Sequence, residues 1–145
     1  MPQCYQSIIV ETAIENVWDT VVNFHDMSWG STIIKTCEAV GKNFGTEVGA
    51  KRILNGAFYE TLLECNVDDF RIRYSVDDAP SPLSPNEVES YVGQIQLRPI
   101  TLSESTSTFI EWSSSWKSTS DDAGDFCQKI YIALLKALAN YVARQ

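Results

Sequence analysis

The chain has 145 residues, 44% apolar and 21% charged, with a formal net charge of −8. That length fits one domain, residues 1–145, able to bury about 70% of the surface its unfolded chain exposes. Aromatic and β-branched residues spread along the chain exclude a disordered protein. The acidic balance excludes a nucleic-acid backbone or an anionic membrane surface as main partner, because both need basic patches.

The N-terminus, MPQCYQSIIVE, carries no basic region followed by a long apolar run, so it is not read as a signal peptide. No segment reaches the length of apolar residues that a membrane span requires. The expected compartment is the cytoplasm. There the four cysteines, Cys4, Cys37, Cys65 and Cys127, are read as reduced structural thiols. With a single histidine, His25, and no C-x-x-C pair, no metal site is expected. The glycines never form a dinucleotide-binding loop, and no cofactor is expected.

In chain order, a first strand covers about 3 to 11. Thr12 and Glu15 then have capping-box spacing. They open a helix, AIENVWDTVVNF, with Ile14, Val17, Trp18, Val21 and Val22 at helical spacing. A short irregular turn, HDMSWG, follows. From there the period becomes two. Strands are expected at 31–40, 46–54, 58–67, 71–76, 88–100 and 105–118, with Asn55-Gly56 as a hairpin signal. The stretch DDAPSPLSPN, with its prolines, is a loop. Ser120 and Asp121 supply N-cap character to a last helix over about 122–144. Its apolar stripe is Phe126, Ile130, Leu134, Leu138 and Tyr141, widened by Ile132, Leu135 and Val142. Six successive strands with tight turns imply an antiparallel meander, which the long helix would cover.

This order resembles the Bet v 1-like, START-related helix-grip superfamily, and within it the bacterial polyketide cyclase/dehydrase and lipid-transport group. The stretches that carry the resemblance are ETAIENVWDTVVNFHDMSW, VGAKRILNGAFYETLLECNVDD, TFIEWSSSW and the terminal amphipathic helix. It implies an α+β fold, with a curved antiparallel sheet of about seven strands wrapped around the C-terminal helix. Two short helices follow the first strand. The plant abscisic acid receptors look like distant relatives. Their cavity glutamates match Glu60 and Glu111, their sixth-strand pocket residues match Tyr91 and Gly93, and their helix contacts match Phe126, Ile130 and Leu134. Their proline-bearing gate has no counterpart in LNGAFYE, so only the cavity carries over.

The segment FIEWSSSWKS at 109–118 has two faces. Apolarity alone turns Ile110 and Trp112 inward. The resemblance turns Phe109, Glu111, Ser113 and Ser115 toward the cavity, and that register is the expectation here. Trp112 and Trp116 would then lie on the convex face, where they could form a protein-contact patch. The expected function is enclosure of a small hydrophobic molecule, such as a lipid, polyketide or aromatic metabolite. The expected ligand-binding residues are Phe58, Glu60, Leu62, Ile72, Tyr74, Val76, Tyr91, Ile95, Phe109, Glu111, Ser113, Phe126, Ile130 and Leu134. Arg52 is a candidate partner for Glu60. The alternative is a cyclase, dehydrase or aromatase in which Glu60, Glu111 and Tyr91 move protons. The mouth is expected near the loops at 55–58 and 77–87, with the proline-rich loop as lid. The sequence leaves a homodimer open.

Overall fold

Strand β1 (Gln3–Val10) leads into helix α1 (Ile14–Val21), which buries Ile14, Val17, Trp18 and Val21 on one face. The computed structural model describes residues 3–118 and 122–144. The capping box expected at Thr12 does not form: Ala13 is the N-cap and no side chain caps the helix. The helix begins one residue later than that motif requires, so Glu15 sits one position too early to close it. Thr12 is instead held through its carbonyl, which accepts the Thr108 hydroxyl at 2.6 Å. The N-cap expected at Ser120 and Asp121 lies outside the described residues.

A 3₁₀ turn, Ser28–Gly30, buries Trp29. The chain then departs from the expected strand at 31–40. The amides of Ile33 and Ile34 bond back to the Gly30 carbonyl at 3.0 and 2.8 Å, so the turn continues and β2 is only Cys37–Val40. The strand expected at 46–54 is shortened in the same way. Glu47 and Ala50 amides close turns onto Phe44 and Glu47, and β3 is Lys51–Leu54. Asn55 and Gly56 take left-handed φ values of 54° and 66°, which turns the chain back into β4 (Phe58–Asn66). Strands β5 (Arg71–Asp78), β6 (Val88–Ile100) and β7 (Ser107–Ser118) follow, and then helix α2 (Asp122–Ala143).

All seven strands form one antiparallel sheet in the order β1-β7-β6-β5-β4-β3-β2. This is the α+β helix-grip arrangement. Register shifts in β4 and β6, beyond one between Tyr59 and Glu60, change which residues face the helix. In β4 the register shifts between Leu62 and Glu64, so Cys65 comes to oppose buried Ile72. In β6 the shift lies between Glu89 and Val92, where Ser90 has φ 55°. Val88 and Tyr91 therefore both point inward despite their odd spacing.

Helix α2 buries Ala123, Cys127, Tyr131, Leu134, Leu135, Leu138 and Val142. Steps of three and four residues hold that stripe against the sheet. Phe126, Ile130 and Tyr141 lie at its margin, half-buried, and Ile132 is exposed. Among the described residues no helix is long and apolar enough to cross a membrane.

Candidate functional site

The sheet and α2 stand apart at one end and enclose a cavity of about 110 Å³. Its rim is half-buried and apolar: Ile33 and Ile34 after the 3₁₀ turn, Phe58 on β4, Phe126 and Ile130 on α2. Phe58 and Phe126 stack across the rim with centroids 6.3 Å apart. Leu83, from the loop between β5 and β6, also lines the cavity and is buried. The floor is fully buried and carries Arg52, Glu60, Tyr74, Tyr91, Trp112, Cys127 and Tyr131.

Arg52 and Glu60 are opposed residues on β3 and β4 and are 6% and 7% exposed. Arg52 Nε donates to Glu60 Oε1 at 2.8 Å, and Nη2 approaches the same oxygen at 2.7 Å. Nη1 donates to the Phe24 carbonyl at 3.0 Å and contacts the Met27 sulfur at 3.4 Å. The guanidinium also lies over the Phe24 ring, 3.8 Å from its centroid. Burial raises the Glu60 acid above its ordinary range, and the Arg52 charge opposes this in part. Both Arg52 contacts fall on Oε1, so Oε2 stands outside the pair.

The second polar group is a row of hydroxyls. Trp112 Nε1 donates to the Tyr74 hydroxyl at 2.9 Å, and Tyr74 meets the Tyr131 hydroxyl at 3.3 Å. Tyr131 makes a short bond to Tyr91, whose hydroxyl meets Cys127 Sγ at 3.4 Å. Trp112 stacks on Tyr131 and Trp116 on Tyr91, with centroids 4.9 and 5.3 Å apart. Burial is the main cause that pushes all three phenols well above their usual ionisation range. Burial likewise raises the Cys127 thiol, and lifts the neighbouring Cys4 to about 12.

Of the sequence-predicted residues, Phe58, Glu60, Tyr74, Val76, Tyr91, Phe126, Ile130 and Leu134 line this cavity. Leu62, Ile72 and Ile95 are buried in the sheet wall and do not reach its surface. The expected register of β7 is corrected. Ile110, Trp112, Ser114 and Trp116 face inward, and Trp112 and Trp116 are 2% and 1% exposed. Phe109, Glu111, Ser113 and Ser115 face the convex side. There Glu111 accepts from the Tyr5 hydroxyl at 2.7 Å and from Arg98 Nε at 3.0 Å.

The reason for this register is the size of the rings. An aromatic side chain removes 150–250 Å² from water, worth roughly 4–6 kcal/mol each at 25 cal/mol/Å². A single carboxylate gains nothing comparable by turning inward. Glu111 is therefore not a partner of Glu60, and the two tryptophans form no surface patch. His25 forms no dyad with Asp26: its Nε2 meets the Lys51 carbonyl at 3.0 Å, and Asp26 accepts from the Ser28 amide.

Sequence reasoning missed Ile33, Ile34 and Leu83 at the rim, and Trp112, Cys127 and Tyr131 on the floor. The helical stripe Cys127, Tyr131, Leu134, Leu138 was present at steps of four, three and four, and would have pointed to the last two.

The chain matches the family described as polyketide cyclase/dehydrase and lipid transport over residues 1–143. None of the curated proteins matches it. A solved structure of a protein from Nitrosospira multiformis is 42% identical with a TM-score of 0.94, covering 99% of this chain and 100% of that one. The protein XoxI from Bacillus cereus is 23% identical with a TM-score of 0.80, covering 99% and 96%. A protein from Thermobifida fusca is 18% identical with a TM-score of 0.81, covering 99% and 95%. The last two likenesses concern the fold alone. The match across nearly the whole chain, on a sheet that grips its C-terminal helix around a cavity, makes this protein a member of the polyketide cyclase/dehydrase and lipid transport family.

Proposed function

We propose that the protein binds a small hydrophobic molecule with one polar end in the cavity between the sheet and α2. The observation that carries this reading is the cavity's two-part lining. An apolar rim of Ile33, Ile34, Phe58, Phe126 and Ile130 leads to a buried floor bearing an ion pair and three phenols. Ligand sites combine an apolar wall with a few convergent polar groups in this way. The family's description names lipid transport beside polyketide cyclase/dehydrase, and its transport half supports this reading.

The volume bounds the guest. About 110 Å³ is close to the size of an apolar cavity that holds one benzene ring, about 150 Å³. A single ring fills the cavity as it stands, and a substituent on it must reach out to the apolar rim. A longer chain or a fused-ring molecule enters only if the loop at 79–87, which carries Leu83, swings outward. Burying about 150–250 Å² of ring surface yields roughly 4–6 kcal/mol. Association entropy is subtracted from this, so a ring-sized guest binds no more tightly than a Kd of about 0.05–1 mM.

The proton-moving alternative loses its second carboxylate, because Glu111 lies on the convex face. A cyclase or dehydrase here would have only Glu60 and Tyr91. The Arg52 ion pair occupies Glu60 Oε1, and the raised Tyr91 phenol is no base near neutral pH.

Native mass spectrometry of freshly purified protein tests the binding reading. The expected result is a co-purifying small molecule that is absent from the Leu134→Trp variant, whose larger ring fills the cavity. A molecule retained equally by both proteins would place it elsewhere and sink the reading.

A further inference from the structure

The hydroxyl row on the cavity floor has a direction. An indole N–H can only donate, so Tyr74 accepts from Trp112. Each phenol has one hydrogen and two lone pairs. Within the row itself, only one arrangement gives every O–H an acceptor. Tyr74 donates to Tyr131, Tyr131 to Tyr91, and Tyr91 to Cys127 Sγ. If the row runs the other way, the Tyr74 hydrogen has no partner in it, and the weak S–H donor must replace an O–H at the far end. A buried unmade donor is costly, and bonds in a row reinforce one another. The thiol of Cys127 is thus the final acceptor that fixes the direction.

The consequence lies in what the row shows to a guest. All three hydroxyl hydrogens are engaged, and each oxygen keeps one lone pair. Glu60 lines the same cavity and has Oε2 clear of Arg52. Arg52 uses Nε, Nη1 and Nη2 on Glu60, the Phe24 carbonyl and Met27. Acceptors therefore dominate the floor. Ser114 Oγ is buried beside the Tyr91 and Tyr131 hydroxyls without closing a hydrogen bond to either, and it does not line the cavity.

We propose that the guest is a ring bearing a hydrogen-bond donor, of the phenol or alcohol type, and that Cys127 is the positioning residue that sets this preference. A donor adds one hydrogen bond to the existing row. A ketone or ether must first reverse the row. This inference rests on the binding reading above and specifies its ligand class.

Calorimetric titration with two probes of equal heavy-atom number, 4-ethylphenol and acetophenone, tests it at neutral pH. Wild-type protein is expected to favour 4-ethylphenol by about fivefold, the net worth of one hydrogen bond. Cys127→Ala removes the final acceptor and frees the Tyr91 hydrogen. Acetophenone should then gain several-fold while 4-ethylphenol changes little. Tyr91→Phe frees the Tyr131 or Tyr74 hydrogen and should shift the ratio the same way, which guards against one variant failing to fold. Equal or tighter binding of acetophenone by wild type would overturn the donor preference. An unchanged ratio in both variants would overturn the role of Cys127. If neither probe binds at millimolar concentration, the binding reading fails, and this inference with it.

Discussion

Arg52 and Glu60 face each other across β3 and β4 and meet at 2.7 Å inside a cavity wall that excludes bulk water. Such a pair is weak evidence of stability but is costly to break on one side only. Glu60→Gln leaves the guanidinium without its counter-charge and should destabilise the fold by about 3–5 kcal/mol. The double change Arg52→Met, Glu60→Leu should lie closer to wild type than either single change. Urea denaturation of wild type, Arg52→Met, Glu60→Leu and the double variant gives the cycle. Equal, additive losses would mean the two side chains do not act as a pair.

The pair also has a pH signature. Burial raises the Glu60 acid, so the folded state binds this proton more tightly than the unfolded chain does. The stabilising contribution of this group is present below the ordinary carboxylate range and fades as pH rises through the raised folded value. Relative to the Arg52→Met, Glu60→Leu protein, wild type should therefore lose stability as pH climbs out of the carboxylate range. Parallel stability curves for the two proteins would contradict it.

Glu111 offers the contrasting case. It is bonded to Tyr5 and Arg98 on the convex face. Pairs of that kind contribute about 0–1 kcal/mol. Glu111→Gln should cost no more than that and should leave 4-ethylphenol affinity unchanged. A large loss of affinity would mean that β7 presents its other face to the cavity in solution.

Tyr74, Tyr91 and Tyr131 should resist alkali. Their phenols lie well above the ordinary value of about 10. Their contribution to stability is complete below that value and is lost as pH rises beyond it. Absorbance titration should show these three ionising only as the fold opens, in step with the loss of far-ultraviolet circular dichroism. Early ionisation in an intact fold would show that water reaches the cavity floor.

Gly93 makes room for the Tyr74 ring. The two are opposed across β5 and β6, and a β-carbon at Gly93 would lie 2.6 Å from Tyr74 Cε1. Gly93→Ala should displace the ring, break the Trp112–Tyr74 bond and cost about 1–3 kcal/mol. Denaturation measures the cost. The indole N–H resonance of Trp112 reports the bond, and an unshifted resonance would mean that Tyr74 stays in place.

The fold was legible because a period of two runs through β4 to β7 and helical spacing returns in the last helix. The shortened β2 and β3 were not, because backbone turns at Gly30 and Phe44 outweigh an alternating pattern that favours extension. Phe126 and Ile130 could be read from the resemblance, and Phe58 from its place beside the expected mouth at 55–58. The floor could not. FIEWSSSW carries bulky apolar groups on both faces, and only ring area decides between them. Cys127 and Tyr131 lie one residue along the helix from the predicted stripe of Phe126 and Ile130, a rotation of about 100°. The stripe that faces the sheet depends on how the helix packs.

The central claim is that a ring-sized guest lies between Phe58 and Trp112 inside the grip. Nuclear Overhauser contacts between 4-ethylphenol and isotope-labelled protein test this most directly. Contacts from the ethyl group to Phe58 and Ile130, and from the ring to Trp112 and Tyr131, are the expected result. A bound probe whose contacts all fall on the convex face, at Tyr5, Arg98 or Phe109, would contradict it.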